Sequence, residues 1–335
     1  MKDIDLKLLK ILKENKNEFI SGEEMSSTLN VSRTTVWKHI KKLRKQGFLI
    51  NSVTNKGYSL QEEPDTLIAE EIKIGLDTEE IGSDILIFDS LDSSNNKAKE
   101  LARKDNYPSG TVIVAEEQTE GKGRLGRSWF SPAETGLFIS IILRPQLAPT
   151  KAPFLTIVAS LAVVDAINKT LSNIKSTDDN DLEIKWPNDI LLNKKKISGI
   201  LSEMSADMDN INYAVVGIGI NVNQEIFPEE IKKIATSLKI EYGQEINRKS
   251  FLEKILKSFE KFYLLLIAGQ DNLLLELWKD NLKIIDKEVI IINNKEKIKG
   301  RVINISERGE LILEDEKGEI YTFWAGDVSL REEEQ

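Results

Sequence analysis

The chain has 335 residues, 40% of them hydrophobic, and a formal net charge of −9, a length that suits about two or three domains and a balance that argues against coating nucleic acid over the whole surface. It has no cysteine and one histidine, His39, which excludes disulfides, thiolate zinc sites and a cysteine nucleophile and leaves a triad or histidine metal cluster only one possible member. No apolar run is read as reaching the roughly 18 residues of a transmembrane helix, and the charged start Met1-Lys2-Asp3-Ile4-Asp5 lacks the apolar core of a signal peptide, so a cytoplasmic location is expected.

The first sixty residues run against the overall charge, with twelve Lys and Arg against six Asp and Glu, a basic segment on an acidic protein. Ile4, Leu8, Leu9, Ile11 and Leu12 fall at helical spacing over residues 3–14. Ser21 and Glu24 fit a capping box that opens a second helix, and Asn30 breaks it. Ser32 caps a third helix with Val36, Ile40 and Leu43 on one face, and Gly47 ends it. Residues 48–50 and 57–60 read as short strands around an Asn55-Lys56-Gly57 turn. Three helices and a hairpin predict a winged helix-turn-helix over residues 1–63, followed by a short linker.

From 66 to 270 helical and strand signals alternate. Helices are expected over 67–76, 95–103, 153–171 and 250–268, and strands over 85–88, 111–115, 137–143, 182–186, 196–203 and 213–220. This is not the regular repeat of a doubly wound sheet, so a mixed α/β domain is expected. From 284 to 331 only short strands remain, over 289–292, 297–305, 310–313 and 320–323, with turns at Asn293-Asn294, Glu307-Arg308-Gly309 and Glu316-Lys317-Gly318. That pattern predicts a small SH3-like β-barrel.

Four segments carry chemistry. Gly121-Lys122-Gly123-Arg124-Leu125-Gly126-Arg127, followed by Ser128-Trp129-Phe130-Ser131-Pro132, puts three glycines and three cations in seven residues. Glycine lets backbone approach a ligand, and Arg and Lys bind phosphate or carboxylate; such a loop is expected to close over an anion, and the plainer alternative is an exposed basic turn. A phosphate-binding P-loop fits poorly, because Arg127 holds the lysine place and Trp129-Phe130-Ser131-Pro132 does not start a helix. Lys185-Trp186-Pro187-Asn188-Asp189 presents a lysine at a strand end, either to charge building on a phosphate or merely to solvent. Gly217-Ile218-Gly219-Ile220-Asn221-Val222-Asn223 clears one strand face for a flat ligand, or is a glycine-weakened strand; it lacks the third glycine of a dinucleotide fingerprint. Asp92-Ser93-Ser94-Asn95 reads as a helix N-cap whose hydroxyls and amide suit a polar ring. Gln118 is a weak signal by itself.

In this order, the four segments and the stretch from Ser21-Gly22-Glu23-Glu24 to Ser32-Arg33-Thr34-Thr35-Val36-Trp37-Lys38-His39-Ile40 resemble the bacterial bifunctional biotin–protein ligases that also repress biotin operons. The resemblance covers essentially the whole chain. It implies an α/β (α+β) protein whose central domain is of class II synthetase-like type. It implies ATP-dependent formation of biotinyl-5′-AMP and transfer to a lysine of biotin carboxyl carrier protein, with Mg²⁺ on the phosphates.

Carried over residue by residue, the resemblance makes Lys185 and Arg124 catalytic. Ser93, Ser94, Asn95, Gln118, Lys122, Gly123, Arg124 and Lys185 would bind biotin, and Arg124, Arg127, Trp129, Asn188 and Asn221 would bind ATP. Lys122 stands where the family usually has Arg, which keeps the charge and loses the bidentate fork. A biotinyl-AMP-dependent homodimer would bring two third helices to operator DNA through Ser32, Arg33, Thr34, Thr35, Lys38 and His39. Lipoate or octanoate ligases share the lysine but lack the Gly-Lys-Gly-Arg loop and the DNA module; a ligase without repressor activity is the other alternative.

Overall fold

The computed structural model describes residues 3–104, 106–172, 181–293, 296–324 and 327–330. It divides into two compact units, one running to Asp77 and including Asn247–Glu253, the other comprising Thr78–Ile246 and the chain from Lys254.

The first unit contains α1 (Asp3–Glu14), α2 (Gly22–Leu29), α3 (Arg33–Lys45), the antiparallel pair β1 (Leu49–Val53) and β2 (Gly57–Glu62), and α4 (Ala69–Gly75). Ser21 Oγ accepts from Glu24 N at 3.0 Å and Ser32 Oγ from Thr35 N at 3.1 Å, so both predicted caps form. Asn30 (φ 51°) closes α2, and Gly47 (φ 97°) follows α3; both take the left-handed conformation that ends helices. Leu8, Leu9, Leu12, Met25, Val36, Ile40 and Leu43 meet Phe48, Ile50 and Leu60 in one core. Ile20 bridges Tyr58 beside the hairpin, completing the winged helix-turn-helix.

This unit also buries an ionic network. Lys249 Nζ lies 2.8 Å from Glu71 Oε2 and 2.9 Å from Glu63 Oε2. Glu63 also meets Lys13 at 3.2 Å, and Lys13 meets Glu253 at 2.8 Å. Burial opposes charge on Glu63, but Lys249 and Lys13 outweigh it and hold the carboxyl below its usual range. Burial pushes the Glu253 carboxyl up despite Lys13.

The second unit is built on a seven-stranded mixed sheet of β3 (Ile85–Leu91), β4 (Val112–Gln118), β5 (Gly136–Leu143), β6 (Leu182–Lys185), β7 (Asp189–Leu192), β8 (Lys195–Ala206) and β9 (Ile211–Asn221). The spatial order is β3-β4-β5-β9-β8-β7-β6, with only β3 and β4 parallel. One face carries α5 (Ser94–Ala102), whose Ala98, Leu101 and Ala102 pack on Ile113, Ile142 and Val215. α6 (Ala152–Leu171) covers the other, where Thr156 Oγ1 lies 2.9 Å from Ser202 Oγ. α6 corrects the composition reading: within Pro149–Leu171 a window of mean hydropathy 1.6 is long and apolar enough to cross a membrane, yet 72% of that window is buried inside the protein, as a core helix is.

β7, α7 (Leu238–Tyr242) and α9 (Asp271–Asp280) were not expected; α8 (Arg248–Ile267) was. The last segment forms a five-stranded antiparallel sheet of β10 (Glu288–Asn293), β11 (Glu296–Ile305), β12 (Leu311–Glu314), β13 (Ile320–Phe323) and β14 (Asp327–Leu330), in the order β13-β12-β11-β10-β14. The fifth strand is additional to the four expected. Asn294 of the expected turn, and residue 331, lie outside the described residues.

Candidate active site

Strand register builds the floor of the site. Phe138, Gly219 and Gly199 form one cross-strand row, and Ser140, Gly217 and Leu201 form the next. The start of α5 lies over the second row. A Cβ on Gly217 would fall 2.1 Å from Asn95 Oδ1, and one on Gly219 would fall 2.6 Å from Trp129 Nε1. The glycines therefore make room for the chain's own Asn95 amide and Trp129 indole, and Gly199, Gly217 and Gly219 themselves line the cavity.

Ser93 occupies the N-cap of α5, but its hydroxyl makes no cap bond, so the capping expected of it is corrected. Gln118, from the end of β4, supplies the partner: its Oε1 accepts from Ser94 N at 2.8 Å, while its Nε2 donates to Ser131 Oγ at 2.8 Å. A helix-start N–H needs an outside acceptor, and this bond ties Gln118 to the serines.

The glycine-rich segment folds back on itself as a narrow hairpin. Trp129 N donates to Gly121 O at 2.8 Å and Gly123 N to Arg127 O at 2.7 Å, with the turn at Arg124–Gly126. No α-helix follows it, as the poor P-loop fit requires. Arg124 Nη1 donates to Asn188 Oδ1 at 2.8 Å, and Asn188 Nδ2 donates to Ile200 O at 3.0 Å. Lys122 Nζ donates to Asn96 Oδ1 at 2.8 Å.

Ser93, Ser94, Asn95, Gln118, Lys122, Gly123 and Arg124 line one cavity together with Trp129 and Asn188. Lys185 and Arg127 line an adjoining cavity, which shares Gly123, Arg124, Trp129 and Asn188 with the first. Lys185 ends β6, directly before the cis Trp186–Pro187 bond. Among the described residues its ammonium has no ion pair or hydrogen bond with another side chain. Asn221 reaches neither cavity. It is buried, and its Nδ2 donates to Thr236 O at 2.9 Å, which ties down the segment after β9.

Lys196 is a site residue that sequence reasoning missed. Its ammonium lies 5.2 Å from the Trp129 ring centroid and 2.7 Å from Asp189 Oδ1, and it lines both cavities. Strand alternation puts it on the face opposite Gly199. A bulge facing Ile190–Leu191 adds one residue to β8 and turns Lys196 back to the site.

On α3, Ser32, Arg33, Thr34 and Lys38 are exposed and Thr35 is half-buried. His39 departs from this group. Its Nδ1 lies 2.5 Å from Oδ1 of the fully buried Asp5 on α1, which Lys42 also contacts. The ring is thus a packing group tied to α1, a correction to its place among the DNA-facing residues. Trp37, which sequence reasoning also passed over, is 51% exposed on the same helix, with Lys41 over its ring.

A polar end built from α5 and Gln118, an aromatic–cation pair, and cations clustered beyond it give the site neutral hydrogen-bonding groups at one end and positive charge at the other. That is the arrangement of a ligase that activates a carboxylic acid with a nucleotide.

Comparison with known proteins makes the class specific. Residues 87–221 match the biotin/lipoate A/B protein ligase family, residues 5–59 a helix-turn-helix domain family, and residues 284–331 the biotin protein ligase C-terminal domain. The bifunctional ligase/repressor BirA of Bacillus subtilis (strain 168) is 40% identical over 325 residues, 96% of this chain and 97% of that protein. BirA of Escherichia coli (strain K12) is 31% identical over 339 residues and the full length of both. Among solved structures, the biotin protein ligase from Aquifex aeolicus in complex with biotin and ATP aligns with a TM-score of 0.61 at 31% identity, over 75% of this chain and 100% of that one. The chain belongs to the bifunctional biotin ligase/repressor family.

Proposed function

We propose that this chain binds biotin over Ser93, Ser94, Asn95 and Gln118 and ATP along Arg124, Arg127, Trp129, Lys196 and Asn188. Biotin's carboxylate oxygen attacks the α-phosphorus of ATP, pyrophosphate leaves, and biotinyl-5′-AMP forms. The ε-amine of a lysine on biotin carboxyl carrier protein then attacks the activated carbonyl, AMP leaves, and the amine loses its proton. No covalent enzyme intermediate is required, in keeping with a chain that has no cysteine.

One observation carries the reading. The cavity lined by Ser94 and Gln118 continues, through Arg124 and Asn188, into the one lined by Lys185. Lys185 and Arg124 stabilise the charge that builds on the α-phosphate as the anhydride forms. Trp129 offers a ring face paired with the Lys196 cation and a buried Nε1–H with no acceptor among the described residues, features that suit a nucleotide base. Among the described residues no cluster of three His, Cys, Asp or Glu stands ready for a metal. In this reading Mg²⁺ would enter with ATP and help neutralise its phosphates.

In the same reading, residues 1–63 form the DNA module, 66–270 the catalytic domain and 284–331 the C-terminal domain. With biotinyl-AMP bound the chain forms a homodimer and represses biotin genes through α3, with Arg33 and Lys38 meeting phosphates. Incubating the protein with biotin and ATP, followed by native mass spectrometry, tests the enzymatic half. Retained biotinyl-AMP, passed on to added carrier protein, is the expected result; exchange with lipoate and none with biotin would overturn it. A gel shift on DNA upstream of biotin genes that appears only with biotin and ATP is the expected result for the repressor half, and a shift indifferent to biotin would remove that half.

A further inference from the structure

α3 carries six cations and no acid in its 13 residues, and its packed side is fixed. Val36, Ile40 and Leu43 enter the core. Lys42 contacts the buried Asp5 of α1, which also takes His39, and Arg44 Nη2 donates to Ile50 O at 2.6 Å. The helix is thus held rigidly. Outward it presents Arg33, Thr34, Trp37, Lys38 and Lys41, all exposed.

Trp37 is the odd member of that face. It is 51% exposed. Arg33 stands one turn before it and Lys41 one turn after, with the Lys41 ammonium 5.3 Å from the ring centroid. A cation over an exposed ring returns only part of what burying an indole would. Glu23 of α2 reaches Arg33 only at 3.9 Å, with both side chains over 70% exposed, so the face stays open and basic. A partner that covers Trp37 must be apolar where it meets the ring and negative around it. Duplex DNA is both, because phosphates rim a major groove in which thymine methyls stand.

The chemistry of the indole then picks the base. It offers an apolar ring and one N–H donor, and no acceptor. In the major groove cytosine presents a donor, adenine a donor beside an acceptor, and guanine two acceptors, none with an apolar group. Thymine alone sets a methyl group beside an acceptor, O4. We propose that Trp37 is a specificity-determining residue of the repressor half: its ring packs on the C5 methyl of one thymine in each half-site, while Lys38 and Lys41 hold flanking phosphates. The inference rests on the repressor reading above and names the contact through which α3 selects its sequence.

The test uses the duplex that gives the biotin- and ATP-dependent shift, with each thymine in turn replaced by deoxyuridine, which deletes the methyl and keeps the base pair. Full-length wild type, Trp37→Ala and Trp37→Phe are titrated on every duplex with biotin and ATP present. Wild type is expected to lose about fourfold in affinity at one thymine per half-site, the worth of one buried methyl, and about sixteenfold when both half-sites are changed. Trp37→Ala is expected to bind the unmodified duplex about tenfold more weakly and to become indifferent to deoxyuridine at that position alone. Its salt slope and its pyrophosphate exchange should stay at wild-type values, as befits a base contact and not a phosphate contact. Trp37→Phe keeps a ring and should keep the sensitivity to the methyl. Wild-type affinity in Trp37→Ala, or a loss that leaves every deoxyuridine effect unchanged, overturns the inference. So does a wild-type protein that tolerates every deoxyuridine, a result that needs no variant to fold. A wild-type protein that gives no biotin-dependent shift on any duplex would instead remove the repressor reading, and this inference with it.

Discussion

Lys249 in the first unit and Lys185 in the second carry the same charge in opposite company. Lys249 is fully buried and held by two carboxylates within 3 Å, Glu71 and Glu63. Lys185 borders a cavity and, among the described residues, has no carboxylate within ion-pair distance. A buried cation without a partner costs several kcal/mol, so the first arrangement is what a folded core requires. The second leaves a half-exposed ammonium, bordering a cavity, that is free to meet a ligand. The difference separates structural from working cations, a distinction that composition alone does not make.

The largest effect should come from breaking the structural side. Lys249→Met leaves Glu71 and Glu63 buried without their cation and is expected to cost about 3–5 kcal/mol. Urea unfolding followed through Trp37, the one tryptophan before residue 78, reads it. A loss below about 1 kcal/mol, the range of a solvated surface pair, would erase the contrast.

Gly217→Ala sharpens the working side, since the added Cβ falls 2.1 Å from Asn95 Oδ1. Overpacking of this kind costs about 1–3 kcal/mol. Biotin affinity should fall with stability, and a calorimetric melt together with a biotin titration would reveal a variant that loses neither.

A smaller effect is expected of Lys38→Ala on α3, an exposed lysine read as a phosphate contact. Operator binding should weaken evenly across sequences, and the slope of log K against log salt should flatten by about 0.9. An unchanged slope would place Lys38 off the DNA.

The smallest effect is the pH response of the ionic network. Glu63 has a depressed carboxyl, so its contribution is complete above the unfolded value of about 4.3 and is lost as pH falls through the folded one. Glu253, pushed up by burial, works the other way and offsets part of that loss. Lys13 is raised: burial works against it, but Glu253 and Glu63 prevail. Its contribution is present below about 10.4 and is lost as pH rises through the folded value. Stability of the first unit should thus fall as pH drops through the folded value of Glu63 and as it rises through that of Lys13, with Glu253 blunting the acid loss; denaturant midpoints against pH that fall at neither end would contradict this.

The two regions also differ in how far the sequence discloses them. In the first unit local signals suffice: Ser21, Ser32, Asn30 and Gly47 mark helix ends by backbone chemistry that involves only near neighbours. His39 misleads because its partner is thirty-four residues away. The warning was present, since Asp5 shares a helical stripe with Leu8, Leu9 and Leu12, and a carboxylate on an apolar stripe needs a buried partner.

In the second unit the motifs locate Ser94, Gln118, Arg124 and Lys185, because glycine runs and strand-end lysines are visible in one dimension. Lys196 stays hidden behind a bulge in the run Lys194-Lys195-Lys196. Ser140 and Glu203 have no local mark at all, and only cross-strand register brings them to Asn95. Asn221 shares the alternation of Gly217 and Gly219, but the segment carrying Thr236 covers it.

Pyrophosphate exchange by Lys185→Met at saturating biotin and ATP tests the contrast between the two lysines most directly. Exchange is expected to fall by about 10²–10³, the loss typical of removing one charge-stabilising group, while unfolding free energy stays within about 0.5 kcal/mol of wild type. Exchange within about threefold of wild type in the folded variant would contradict the account, because the unpaired ammonium would then not be the one that the reaction uses.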